Sequence, residues 1–117
     1  MPVKTKRVYD SATPDDGYRL LVMRMWPRGV KKESVDGWKK ELGAPKELIK
    51  DWKDGNCDWA EFRKRYRTAM EDQKAEIAEL AQRAGDGTVT LLCGCKDEER
   101  CHRTLLKQMI ERYQKGE

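Results

Sequence analysis

In Thr88-Val89-Thr90-Leu91-Leu92-Cys93-Gly94-Cys95-Lys96-Asp97-Glu98-Glu99-Arg100-Cys101-His102-Arg103, an apolar, β-branched run leads straight into a cluster of reactive side chains. Gly85-Asp86-Gly87 sets the run off, which is the pattern of a buried strand. Three of the four cysteines, the only histidine and two arginines then follow within eleven residues. Leu105, Leu106, Met109, Ile110 and Tyr113 continue at helical spacing. A strand running through a loop into a helix is the unit from which open α/β sheets build ligand sites, at the strands' C-terminal ends.

Upstream of this unit, Asp58 with Glu61 three residues on fits a capping box. The stripe Trp59, Phe62, Tyr66, Met70, Gln73, Ile77, Leu80 and Ala84 predicts one long helix over 58–84, with Gly85 as its C′ residue. Residues 31–55 read as short helical pieces, with Trp38 and Leu42 four apart and a break at Gly43-Ala44-Pro45. Tyr18 to Met25 carries the continuous apolar run Leu20-Leu21-Val22-Met23, which suits a strand covered on both faces of a parallel sheet. Pro27 and Gly29 end it in a turn. Val3 to Tyr9 is a further strand, near an edge. The order strand, strand, helices, strand, helix predicts an α/β fold: a single small domain over 1–117 with a mainly parallel sheet flanked by helices. The C-terminal ends of parallel strands share one sheet edge. Arg24, Arg28, Cys93, His102 and Arg103 are therefore expected in one pocket.

The composition fits this reading. A chain of 117 residues supports one core. Charged residues make up 39% with a net charge of +4, which describes a solvated surface of mixed sign more than a polycation. Anionic ligands and nucleic acid are admitted by that charge, not demanded. Met1-Pro2-Val3-Lys4 carries no apolar signal region and no run is long enough to span a membrane. The expectation is a cytoplasmic protein with no membrane partner. Thiols stay reduced there, which favours reactive or metal-binding cysteines over disulfides.

Arg24-Met25-Trp26-Pro27-Arg28-Gly29-Val30-Lys31-Lys32-Glu33 resembles the Arg-Leu-Trp-Pro-Arg-Gly-Val signature of the YeaO-like family, a bacterial group of small proteins carrying a domain of unknown function. The resemblance extends over Arg7-Val8-Tyr9, Asp16-Gly17-Tyr18-Arg19, Leu42-Gly43-Ala44-Pro45, Trp38, Trp52, Trp59, Phe62 and Tyr66. Met23 departs from it, standing where many members have Asp. Some members also lack the cysteines after Leu92, although Cys101-His102-Arg103 is similar to the broader superfamily's pattern. The resemblance implies an α/β fold and supplies no reaction.

Function is therefore read from the residues. His102, whose pKa lies nearest neutrality, is the candidate acid/base, with Cys95 and Cys93 as candidate nucleophiles. Arg24, Arg28 and Arg103 are the candidate anion ligands, and Trp26, beside Pro27 and two arginines, the candidate stacking residue. If the last helix begins near Cys101, His102 and Arg103 occupy its positive end, where cations are disfavoured unless an anion is bound. If it begins at Asp97, the acidic first turn is ordinary. The thiols do not fit a phosphatase loop: six residues after Cys93 is Glu99, and six after Cys95 is Cys101. Cys95 and Arg100, five apart, come closer to a sulfurtransferase loop, but Asp97-Glu98-Glu99 opposes an anion cradle there. At least one of Cys93, Cys95 and Cys101, Cys95 first among them, is still expected to alkylate faster at neutral pH than Cys57, which lacks neighbouring cations.

No motif asks for an organic cofactor. The alternative is zinc held by Cys93, Cys95, Cys101 and His102, against which stands the adjacency of Cys101 and His102, since neighbours on a helix point about 100° apart. The leading expectation is a small enzyme or ligand-binding domain for a phosphate- or carboxylate-bearing molecule. A nucleic-acid-binding module rests only on net charge and Trp26.

Overall fold

A computed structural model describes residues 3–94 and 100–115. Among these residues four strands form one sheet: β1 (Val3–Arg7), β2 (Tyr18–Leu21), β3 (Gly37–Trp38) and β4 (Val89–Cys93), in the order β1-β4-β2-β3. Every pairing is parallel. The register sets Val3 against Val89 and Arg7 against Cys93 on one side of β4, and Tyr18 against Val89 and Leu21 against Leu92 on the other. The apolar runs are at the centre, as their composition requires. Leu20, Leu21, Val22, Val89, Leu91 and Leu92 are all fully buried. Each such side chain contributes about 1.5–3 kcal/mol on leaving water.

The period of two divides these strands between two unequal layers. Val3, Leu20, Val22, Val89 and Leu91 face a large core shared with four helices: α1 (Lys46–Lys53), α2 (Trp59–Met70), α3 (Lys74–Asp86) and α4 (His102–Gln114). Leu21, Leu92 and Val8 face the other way, into a small cluster closed by Met23, Trp26, Val30 and Val35. The helices thus crowd one face, and the chain between β2 and β3 covers the opposite one.

Three elements differ from the expectation. The predicted long helix is two: α2 stops at Met70, a 3₁₀ turn runs over Glu71–Gln73, and α3 starts at Lys74. The polar Gln73 marks the break, and both halves keep their stripes on the core. Gly85 is not a C′ residue, because α3 runs through it to Asp86. Trp38 lies in β3 and is 43% exposed, not helical and inward with Leu42. Asp58 does cap α2, its carboxylate accepting the Glu61 N–H at 2.8 Å.

Candidate functional site

The parallel register brings the ends of β1, β4 and β2 to one edge. Cys93 ends β4 with its side chain, by parity with Val89 and Leu91, on the helix-covered face. Val22 sits beside it, its N–H donating to Leu92 O at 3.0 Å. The last helix begins at His102, with Cys101 as an extended N-cap at φ −137° and ψ 144°. That kink removes the objection of adjacency. Cys101 is not on the helix, so its side chain and that of His102 converge. Cys93 Sγ and Cys101 Sγ lie 3.5 Å apart, and His102 Nδ1 lies 4.0 Å from the first and 3.8 Å from the second. On the far side of the ring, Nε2 is 2.5 Å from Val22 O. A carbonyl only accepts, so in the neutral imidazole Nε2 carries the proton and Nδ1 turns a lone pair to the thiols. All three side chains are buried.

Tyr66 packs against this group, its ring 5.6 Å from the imidazole, and its hydroxyl donates to Leu42 O at 2.7 Å. Burial pushes the Tyr66 phenol well above its ordinary range, and the neighbouring Cys101 and Cys93 push the same way against Arg24. It is a neutral donor at physiological pH, not an acid/base.

Above the thiols opens a cleft of about 800 Å³. Cys93, Cys101 and His102 line it together with Met23, Ile49, Trp52 and Phe62. Its cations are Arg24 and Arg28 from the loop after β2, Lys46, Lys50 and Lys53 from α1, and Arg100. Among the described residues Asp54 is the only carboxylate that lines it. Arg24 is fixed from behind, Nη2 donating to Gly43 O at 3.1 Å and Nε to Ala44 O at 3.3 Å. The approach is close enough that a Cβ on residue 43 would collide with the backbone of Met23 and Arg24, so only glycine fits there. Tyr9 ties the rim together by donating to Arg28 O at 3.1 Å.

Of the residues expected to meet, Arg24, Arg28, Cys93 and His102 share this cleft. Arg103 does not line it. The helix begins where an anion would have been expected to offset this cation, but its guanidinium is buried against the strand ends and donates to Lys6 O at 3.0 Å and Cys93 O at 3.2 Å. Trp26 lies with the small cluster on the other face, edge-on to Trp38 at 5.4 Å, with Nε1 donating to Val30 O at 2.9 Å. It packs in that cluster and does not line the cleft. Cys95 and the acidic run Asp97-Glu98-Glu99 lie outside the described residues. The short helical pieces expected over 31–55 include α1, but its lysines were not expected in the site. The signal was present: Lys46, Lys50 and Lys53 recur at i, i+4 and i+7, a basic stripe along one helix face.

A family model described as the active DUF488-N3 subclade, DUF488-N3a, matches residues 3–114. The chain is 39% identical over 112 residues to the uncharacterized protein YeaO of Escherichia coli (strain K12), covering 94% of this chain and 97% of that protein. It is 35% identical over 111 residues to the uncharacterized protein Rv3073c of Mycobacterium tuberculosis (strain ATCC 25618 / H37Rv), covering 92% of each. No solved structure matches it.

Proposed function

The chain belongs to the DUF488-N3a family, a YeaO-like domain, and from that premise we propose that it is a small enzyme or ligand-binding domain whose cleft takes a small phosphate- or carboxylate-bearing molecule. One observation carries this reading: among the described residues, six cationic side chains against one carboxylate surround a concave, partly apolar site at the C-terminal edge of a parallel sheet. Arg24 is the orienting group. Two of its N–H donors are spent on the 43–44 loop, which fixes the plane of the guanidinium, and the others remain to grip an oxyanion. Arg28 and the exposed lysines of α1 raise the local concentration of anions as mobile point charges. His102 reaches a ligand through the thiols, since Nδ1 faces them and Nε2 is held by Val22 O. A reducing cytoplasm keeps Cys93 and Cys101 from joining in a disulfide.

Melting curves with inorganic phosphate, against sodium chloride at equal ionic strength, test the reading. Phosphate at a hundredfold excess over Kd is expected to raise Tm by roughly 5–15 °C. Arg28→Ala combined with Lys50→Ala is expected to remove most of that shift without lowering the ligand-free Tm. The reading fails if phosphate, pyrophosphate and small dicarboxylates all leave Tm unchanged. It is replaced if only DNA or RNA binds, with a steep salt dependence.

A further inference from the structure

We propose that Cys93, Cys101 and His102 bind a divalent zinc ion at the floor of the cleft. The three donor atoms all lie within 4.8 Å of one another. Tetrahedral zinc with Zn–S of about 2.3 Å and Zn–N of about 2.0–2.1 Å places its sulfurs about 3.8 Å apart and each sulfur about 3.6 Å from the nitrogen. The separations here are 3.5 Å between the sulfurs and 3.8 and 4.0 Å to Nδ1. Shifts of a few tenths of an ångström complete the geometry, and side-chain torsions supply them.

Two further observations point the same way. The first is the tautomer. Metal-bound histidines commonly donate the other ring N–H to a carbonyl or carboxylate, which aims the lone pair and raises its basicity. Val22 O does this for His102 at 2.5 Å, and it belongs to β2, far from the ligands in sequence. The second is charge. Zinc binding releases the two thiol protons to solvent, and the resulting two thiolates with Zn²⁺ sum to zero, so the buried site carries no net charge. The donor set of two sulfurs and one imidazole suits zinc and excludes magnesium and calcium, which take oxygen. Cys93 is held in turn from its own backbone, its carbonyl accepting from the buried Arg103. All three ligands line the cleft, so the ion's remaining coordination position is reached from it.

The test uses the full chain, reduced and stripped of metal, titrated with Co²⁺. A stoichiometric complex is expected, with sulfur-to-cobalt charge-transfer absorption in the near ultraviolet and tetrahedral d–d bands in the visible, both lost on adding Zn²⁺. Removing an outer-shell partner of a zinc ligand commonly weakens binding about 10–100-fold, so loss of a ligand itself, in Cys101→Ser or His102→Ala, is expected to weaken it at least about 100-fold. Cys57→Ser is expected to leave the spectrum unchanged, because Cys57 lies apart in the helix core, its thiol donating to Asp58 O at 3.4 Å. The parent spectrum needs no variant to fold. Its absence in fully reduced protein overturns the site, as does a spectrum retained in the Cys93→Ser, Cys101→Ser double variant. Cobalt is read by its spectrum and phosphate by melting temperature, so the zinc site and the anion cleft stand or fall separately.

Discussion

Asp16 has no exposed surface, yet it is a charge. Burial alone would raise its pKa, but donors from Lys6, the Thr13 backbone and hydroxyl, and Arg19 outweigh that and hold the carboxyl well below the usual range. A folded-state pKa below the unfolded value stabilises the protein above about pH 3.9, and the benefit is lost as pH falls towards the folded pKa. Urea midpoints should therefore drop between pH 5 and pH 2. Asp16→Asn should flatten that acid limb. At pH 7 it should cost about 3–5 kcal/mol, because Arg19 is left buried without its partner. An acid limb equally steep in the variant would assign it to other carboxylates. Such residues also show what a sequence conceals. The presence of Arg103 and Trp26 is plain in the chain, but their partners are two carbonyls at strand ends and a backbone oxygen four residues on. Nothing in the residue type says whether a guanidinium will turn to solvent or to backbone carbonyls.

Elements were legible in proportion to their length. The four-residue β2 and five-residue β4 declared themselves through unbroken apolar runs, since both faces of each are covered. The two-residue β3 is too short to show an alternation. The break between α2 and α3 escaped for a related reason: a single 3₁₀ turn shifts the helical phase too little to interrupt a stripe read over many residues. Gly85 tests the corrected boundary. It lies inside α3, and an added Cβ there meets nothing within 4 Å. Gly85→Ala should stabilise the protein by about 0.5–1 kcal/mol, read as a Tm increase of a few degrees. Had the residue been a left-handed cap, the same change would lower Tm.

At the level of the molecule, parallel order was the most informative inference. Two chain segments far apart in sequence end at one edge because their strands run the same way, and Arg24, Arg28, Cys93 and His102 meet there in consequence. The basic wall from α1 was not legible in the same way. Its placement depends on how a helix packs across the core, which strand order does not determine. No helix among the described residues is long and apolar enough to cross a membrane.

The two faces of the sheet are unequally covered, and that inequality bears on the order in which backbone amides meet deuterium. The helix-backed face is sealed by the large core, whereas residues 23–36 hold the other face through a small cluster and a few bonds such as Trp38 Nε1 to Met23 O. A segment with so few buried contacts opens by itself at a fraction of the global unfolding free energy. Amides in 23–36 should therefore exchange well before those of Val89–Cys93. The same segment carries Arg24 and Arg28, so saturating phosphate should slow its exchange selectively. Uniform protection across both faces would contradict this. The grip on a ligand would then be made by the least anchored part of the sheet, and each binding event would stiffen the wall that performs it.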